Sequence, residues 1–363
     1  MVEKGRITAP QTEFIMIPTI IGTAILSIPS IDAKFAGHDM WMTPILGSLI
    51  GFLTVYIVWR LHELYPMQTP IEYSERIIGK AAGRVFGLLL TLFYIHNSGI
   101  IVREYSSFIS TNVMTDTPII IFSITILFVS ALAVRGGLEV IARTAIICTT
   151  LFMSSSVVLL LLIKDIKLGY LLPFLENGLL PVMKGTLIHN SWFSEFFLLA
   201  FIFPYINNQK NGLKSGLRAS LIVMFILLYV NFFVLTAIGT SAANLFYPVY
   251  AIIRSITVYN FFENFEVLIT ASWVLGNFVK ISVFLYAASL SLAQLFRFSS
   301  YKIIVFPLSV LVFIFSYWDL PNLVVKVNYI STIQPFYLLT IQTIIPLFLL
   351  GIALIKRKRS EST

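Results

Sequence analysis

Two charged side chains lie inside apolar stretches of the sequence, where charge is costly. Lys280 is near the middle of Ala271–Ser291, three residues after Asn277, and Glu195 follows Ser194 in a second apolar stretch. On membrane-insertion scales an ammonium at the centre of a helix costs roughly 2.5–3.5 kcal/mol. Three roles remain open for these groups. In the first, Lys280 and Glu195 form a structural ion pair. In the second, Lys280 takes the place of a bound sodium ion, and in the third, either side chain contacts a ligand.

The composition of the chain indicates whether these charged residues lie in a soluble protein or in a membrane. The chain has 363 residues, of which 58% are hydrophobic and 12% charged, whereas soluble domains carry about a quarter charged residues. Runs such as Ile119–Val134 and Ala145–Ile163 approach the roughly 20 residues that cross a bilayer as a helix. Only helices and closed barrels satisfy their backbone polar groups in lipid, and these runs lack the alternation of barrel strands. The sequence therefore predicts an all-α integral membrane protein.

The apolar runs predict about ten membrane spans, numbered one to ten in chain order. They lie near residues 11–30, 41–61, 85–109, 118–134, 142–163, 187–206, 217–239, 266–296, 303–318 and 336–355.

The basic residues predict which side of the membrane each connection faces. An even number of spans puts both termini on one side; if that side is cytoplasmic, 17 Lys and Arg residues lie inside and 7 outside. Cytoplasmic connections are enriched in basic residues, so both termini are predicted to be cytoplasmic. The net charge of +8 is then a matter of topology and does not indicate nucleic-acid binding. The tail Lys356–Arg359 is expected to meet anionic lipid headgroups. The polar start Met1–Pro10 has no features of a signal peptide.

Two connections are long enough to contain short helices. Thr69–Ala82, on the inner side, predicts an amphipathic helix ended by Gly79 or Gly83. Ala243–Phe265, on the outer side, is rich in tyrosine and is expected to lie along the membrane interface. Either helix is a plain connection or has a gating or docking role.

The first span of each half of the chain contains residues that weaken a helix. The first has Pro18, Gly22 and Pro29; the sixth has the polar stretch His189–Glu195 followed by Pro204. Backbone groups freed in this way need protein or water partners in a membrane. The correspondence predicts a single domain, 1–363, made of two inverted five-helix repeats (about 11–163 and 187–355), with a mid-membrane ligand site between broken first and sixth helices. Half-helix N-termini there suit a carboxylate, and unwound carbonyls suit an ammonium.

Other polar residues give weaker indications. In the third span, Tyr94 is expected to line the cavity or to bond between helices, and Arg103 and Glu104 are expected to pair at the interface. The four histidines lack metal-ligand spacing, and the single cysteine, Cys148, excludes an internal disulfide. No phosphate-binding loop or nucleophile elbow is present. We therefore expect neither an enzyme nor a metal or cofactor site.

Several stretches resemble a known family. Gly22–Pro29 resembles the unwound first helix of the amino acid–polyamine–organocation superfamily, although Ala24 stands where many members have a second glycine. The chain resembles more closely the B subunit of spore germinant receptors, the GerAB-type spore germination permeases. The matching stretches are Ile21–Pro29, Ile71–Tyr73, Ile78–Lys80, Gly87–Leu89, Ser194–Glu195, Phe203–Tyr205, Phe262–Glu266, Trp273 and Tyr286–Ala288.

The resemblance implies a LeuT-like fold in the inner membrane of a bacterial spore, with both termini on the core side. It also implies recognition of a small-molecule germinant, such as an amino acid, and assembly with the A and C subunits of the receptor. By the family's arrangement the ligand site lies among the first, third, sixth and eighth spans. Carried over by position, this site comprises Gly22, Thr23, Tyr94, Asn97, Ser194, Glu195 and Lys280.

Two features of the resemblance leave the function open. Asn97 and Lys280 stand where amino-acid-sensing relatives have smaller or apolar residues, which fits a germinant of different charge or size. The alternative function is an amino acid permease working by alternating access, coupled to protons through Glu195. Ligand-triggered release of ions through the same cavity is a third reading, because one fold serves several functions.

Overall fold

The computed structural model describes residues 3–256, 265–319 and 322–361, and these residues are almost entirely helical. The α-helices are α1 (Ala9–Ala36), α2 (Thr43–Leu64), α3 (Pro70–Ile78), α4 (Lys80–Asn112), α5 (Ile119–Gly136), α6 (Leu138–Ser155), α7 (Leu179–Ser194), α8 (Gly212–Ile238), α9 (Pro248–Arg254), α10 (Phe265–Leu295), α11 (Val305–Trp318), α12 (Leu323–Asn328), α13 (Gln334–Leu339) and α14 (Ile345–Glu361). Short 3₁₀ segments continue α6 over Ser156–Asp165 and α7 over Glu195–Phe201.

The prediction of about ten membrane spans is confirmed. Eight helical stretches are long and apolar enough to cross a bilayer. One of them, Ala9–Leu64, contains both α1 and α2, which are separated by the 3₁₀ turn Gly37–Met42. The apolar helix α11 is shorter and packs against α4 and α5. The described chain thus has ten helical segments in the predicted order.

Two spans begin earlier than the hydropathy predicts. The sixth starts at Leu179 and not near 187, and the tenth starts with α12 at Leu323 and not near 336. The tenth is built from α12, α13 and α14, joined by the π-helical segments Tyr329–Ile333 and Thr340–Ile344. Polar residues at its start, among them Lys326 and Gln334, are buried against protein. They lower the hydropathy of the sequence without taking the helix out of the bundle.

The first span is a continuous helix, so the expected break there is wrong. α1 runs from Ala9 to Ala36 with Pro18 and Pro29 in its interior. Pro18 cannot donate to the carbonyl of Phe14, four residues earlier. The Thr149 hydroxyl of α6 donates to that carbonyl over 2.7 Å. A neighbouring side chain therefore satisfies the group that the proline frees, and the helix stays wound.

The sixth span is interrupted, as predicted. α7 continues through the polar residues His189–Ser194, becomes a 3₁₀ helix at Glu195 and breaks at Ile202 before a short turn, Phe203–Tyr205. The extended N-terminal segment bonds to the freed backbone: Ile7 N donates to the Tyr205 carbonyl over 3.0 Å, and Asn207 N donates to the Ile7 carbonyl over 2.9 Å. The break thus lies after the polar stretch, at the end of the span.

The N-terminal segment is itself held by buried polar contacts. The Glu3 carboxylate accepts hydrogen bonds from the Leu138 amide (3.2 Å) and the Tyr301 hydroxyl (2.6 Å). Burial, with the adjacent Glu3 charge, raises the pKa of the Tyr301 phenol above its usual range. Tyr301 therefore remains protonated, and remains a donor to Glu3, at neutral pH.

The short connecting helices follow their sequence signals. α3 begins after Thr69, whose amide donates to Glu72 over 3.0 Å, and ends at Gly79, where φ is +91°. That conformation favours glycine, so the predicted end at Gly79 is confirmed. In the connection 243–265, α9 occupies Pro248–Arg254, and residues 257–264 lie outside the described part of the chain.

The contact between Thr149 and Phe14 predicts a measurable contribution to stability. We expect Thr149→Val to lower the free energy of unfolding in detergent by about 1 kcal/mol, because the Phe14 carbonyl loses its partner. Thr150→Val is the matched control, since the exposed Thr150 hydroxyl donates only to Ile146 of its own helix. Equal effects of the two substitutions, measured by thermal unfolding, would contradict this account of α1.

Candidate functional site

The two buried charges meet in the centre of the structure. Lys280 of α10 donates to Glu195 Oε2 over 2.8 Å and to Oε1 over 3.0 Å. Their side chains are 1% and 3% exposed. Lys280 Nζ also lies 5.5 Å from the centroid of the Phe284 ring. Of the roles open to these residues, the ion pair is the one formed in this conformation, and it joins the eighth span to the sixth.

The position of Glu195 follows from the residues that precede it. The Ser191 and Ser194 hydroxyls donate to the carbonyls three residues earlier, of Ile188 and Ser191, over 2.7 and 2.6 Å. Such bonds compete with the regular α-helical pattern. The helix tightens to a 3₁₀ segment directly afterwards, at Glu195. The polar stretch therefore determines where the helix changes and hence where the carboxylate lies.

Gly22 and Thr23 of the first span also contact the sixth and eighth spans. Asn277 Nδ2 donates to the Gly22 carbonyl over 2.8 Å, and a Cβ on Gly22 would lie 3.4 Å from the backbone of Gly276. Trp192 Nε1 donates to Thr23 Oγ1 over 2.9 Å. Glycine at 22 thus allows a close approach of α1 to α10, and Asn277 satisfies a carbonyl beside the ion pair.

Tyr94, Asn97 and Ser194 take different positions around this centre. The Tyr94 ring meets Phe201 and Phe284 edge-on, with centroids 5.4 and 5.8 Å apart. Ser194 also donates to Gln342 Oε1 over 3.2 Å. Asn97 is buried, but its amide donates to Phe93 of its own helix. Tyr94 and Ser194 therefore adjoin the charged pair, whereas the described contacts of Asn97 do not reach it.

Three buried polar atoms around the pair make no hydrogen bond of regular geometry within the described chain. They are Tyr94 Oη, Asn277 Oδ1 and Gln342 Nε2. Buried polar groups are normally bonded to protein, water or ligand. The side chains of Tyr94 and Gln342 lie close enough to interact with each other, so Asn277 Oδ1 is the atom most open to a polar molecule at the centre of the bundle. Tyr94 was predicted for the site, and Asn277 was noted only as a neighbour of Lys280.

Gln342 was missed by the sequence reasoning. It lies in the π-helical segment Thr340–Ile344 of the tenth span, within an apolar run. π-Helical turns are frequent at functional sites. A buried glutamine in so apolar a stretch was a usable signal, because polar residues inside spans usually face the protein interior.

A second buried cluster lies at the other end of the polar stretch. His189 Nε2 is 2.7 Å from Asp32 Oδ2, and Asn231 Nδ2 donates to the same oxygen over 2.7 Å. Both side chains of the His189–Asp32 pair are fully buried. Asp32 lies beyond the predicted end of the first span, so the sequence reasoning gave no partner for His189. The cluster ties α1, α7 and α8 together.

Arg103 and Glu104, which were predicted to pair at the membrane interface, have different neighbours in the structure. The Arg103 guanidinium lies over the Tyr317 ring, 5.4 Å from its centroid. Glu104 is buried and interacts electrostatically with both Lys280 and Lys326.

In the described ranges no three His, Cys, Asp or Glu side chains are grouped as metal ligands.

The arrangement has the fold of secondary transporters. The chain superposes on the nucleobase-cation-symport-1 transporter Mhp1 in a closed conformation with bromovinylhydantoin bound, with a TM-score of 0.66 and 13% identity over 95% of this chain and 78% of that one. A Na⁺-coupled sialic acid symporter in a substrate-bound outward-open state superposes with a TM-score of 0.65. It is 12% identical, and the match covers 93% of this chain and 79% of the symporter. These likenesses define the class: an integral membrane protein of the LeuT-like fold.

The sequence comparisons define the family within that class. The pattern of the family described as "Spore germination protein" matches residues 6–324, and the chain belongs to this family. Spore germination protein KB of Bacillus subtilis (strain 168) is 29% identical over 99% of this chain and 98% of its own length. Spore germination protein YndE of the same strain is 24% identical over 81% of this chain and 82% of its own length. The predicted family and LeuT-like fold are therefore confirmed.

The buried ion pair predicts a non-additive effect on stability. We expect Lys280→Met to lower the free energy of unfolding by about 3–5 kcal/mol, because it leaves the Glu195 carboxylate buried without its partner. The double variant Lys280→Met with Glu195→Gln should recover most of this loss, since no buried charge remains.

Chemical or thermal unfolding in detergent measures both variants. Lys184→Met, at an exposed lysine of α7, is the control and should leave the stability unchanged. A double variant as unstable as Lys280→Met would contradict the coupling of the two charges.

Proposed function

We propose that this protein is the germinant-sensing B subunit of a spore germination receptor and that it binds a small polar molecule, such as an amino acid, at mid-membrane. The single observation that carries the proposal is the buried pair of Lys280 and Glu195. This pair joins the interrupted sixth span to the eighth, in a chain whose family consists of spore germination proteins. The proposed ligand-binding residues are Gly22, Thr23, Tyr94, Asn97, Ser194, Glu195 and Lys280, together with Asn277 and Gln342.

An amino acid is suited to this pair because it carries both charges. Its carboxylate can bind Lys280 while its ammonium binds Glu195. The ion pair between Lys280 and Glu195 is then replaced by two ion pairs with the ligand, and every buried charge keeps a partner. The Asn277 amide oxygen can take a remaining hydrogen bond, and Tyr94 and Gln342, which face each other, can exchange their mutual contact for one with the ligand. Lys280 supplies a fixed positive charge, so binding in this scheme is independent of sodium.

Ligand binding would change the conformation through the same residues. Exchange of the pair releases the eighth span from the sixth and so favours a different arrangement of the two. Partner subunits that bind one arrangement more tightly would then respond to the ligand. In this proposal the partners are the A and C subunits. The protein lies in the inner membrane of the spore with both termini facing the core, and its repeats span about 11–163 and 187–355.

The alternative function is transport. The solved structures with the same fold are transporters, and Glu195 is a buried carboxylate that can carry a proton when its pairing with Lys280 is broken. An amino acid permease that works by alternating access would use the same central site. The two functions differ in whether the ligand accumulates across the membrane.

Proteoliposomes containing the purified chain separate these functions. We expect saturable binding of at least one member of a panel of labelled amino acids and nucleosides, without accumulation in the vesicles. Accumulation against a gradient, abolished by dissipating a proton gradient, would replace the receptor with the permease.

The double variant Lys280→Met with Glu195→Gln tests the site in the same assay. It removes both charges together, and we expect it to weaken binding about tenfold or more, the loss expected for charged hydrogen bonds. The exposed-lysine variant Lys184→Met should bind as the wild type does. Unchanged binding by a folded double variant would place the ligand elsewhere.

A further inference from the structure

A cavity lies at the C-terminal half of α1, away from the central ion pair. It has a volume of about 120 Å³ and is bounded by α1, the segment 243–247 and the start of the tenth span. This volume is well above the roughly 10–15 Å³ needed to hold one water molecule, so the cavity has room for a small molecule.

The charged side chains that line this cavity, Lys34 and Lys326, are both positive. The Ser27 and Ser331 hydroxyls at its wall donate to carbonyls of their own helices. None of the described residues that line the cavity carries a carboxylate. Two ammonium groups facing a cavity of this size attract an anion.

Lys326 is the unusual member of this set, because it is only 5% exposed. Its ammonium donates to Tyr247 Oη over 3.2 Å and lies 5.6 Å from the centroid of the same ring. In the described chain no carboxylate lies within ion-pairing distance of it, and the buried Glu104 interacts with it only at longer range. A buried ammonium has three donors and is stabilised by a directly bonded anion. The wall of the cavity thus has an incompletely satisfied positive group.

The buried charges alternate in sign from this cavity to the central pair. Glu104 interacts with Lys326 on one side and with Lys280 on the other, and Lys280 is paired with Glu195. Glu104 is therefore influenced by the charges of both lysines.

We propose that this cavity, beside Lys326 and Lys34, is a second binding site that takes the carboxylate group of a small-molecule ligand. In its ligand class the inference rests on the proposed function, since the same carboxylate would bind here before it reaches Lys280. Lys34, exposed at the cavity, attracts the anion, and Lys326 holds it.

Carbamylation of lysine by cyanate tests this site without reference to the central one. Cyanate is a three-atom anion, and its conjugate acid adds to an unprotonated amine to form a urea group, which mass spectrometry locates residue by residue. Purified protein in lipid nanodiscs is treated with cyanate in sodium acetate, or in acetamide with sodium chloride at matched ionic strength.

We expect acetate to slow the carbamylation of Lys326 relative to the acetamide control. At an acetate concentration twice its dissociation constant the reduction is about threefold. The exposed Lys184 should react equally in both solutions. Lys34→Gln should weaken the protection of Lys326, because one of the two ammonium groups is lost, and Lys184→Gln should leave it unchanged.

Two results would overturn the inference. One is equal carbamylation of Lys326 in acetate and in acetamide. The other is equal slowing by acetate at Lys326 and at Lys184, because acetate then acts on lysine carbamylation in general and not through this cavity. Protection of Lys326 in a protein that binds no member of the amino acid panel would leave this site standing and overturn the proposed function. Amino acid binding without protection would do the reverse.

Discussion

The interior of this protein is governed by the cost of leaving a polar group without a partner in a medium of low dielectric constant. The Lys280 ammonium and the Glu195 carboxylate tolerate burial because each is the partner of the other. The same constraint acts on the backbone. The Phe14 carbonyl, freed by Pro18, accepts from Thr149, and the Gly22 carbonyl accepts from Asn277. Each of these contacts joins two spans, so the need for partners also holds the bundle together.

This constraint explains why the first and sixth spans, which both contain proline, behave differently. In the first span, Pro18 frees one carbonyl, and a single threonine hydroxyl satisfies it without unwinding the helix. In the sixth, the change from α to 3₁₀ helix and the break at Ile202 expose several groups at the end of the span. The extended chain around Ile7 and the Arg6 guanidinium, which donates to the Pro204 carbonyl, bond to them there. The fate of a proline in a membrane helix is thus decided by the neighbours available to it.

The polar interior is organised as separate groups of residues along the bundle. Asp32, His189 and Asn231 form one buried network, and Lys280 with Glu195 forms another. Glu104 lies within electrostatic reach of both Lys280 and Lys326. A change of charge at one of these positions is therefore felt at the next, because fields decay slowly in a water-poor interior.

The sequence alone determined the class of the protein, the order of its ten spans and the identity of its central charges. It could do so because hydropathy, basic residues and glycine or proline positions act locally and leave a direct record in the chain. It predicted the interruption of the sixth span and gave the pairing of Lys280 with Glu195 as one of three roles. It was wrong about a break in the first span, and it missed Asp32 and Gln342. Only the tertiary structure decided these points. The partner of Pro18's free carbonyl is 135 residues away in the chain, and the residues that face His189 and Ser194 come from distant helices, so no local pattern could reveal them.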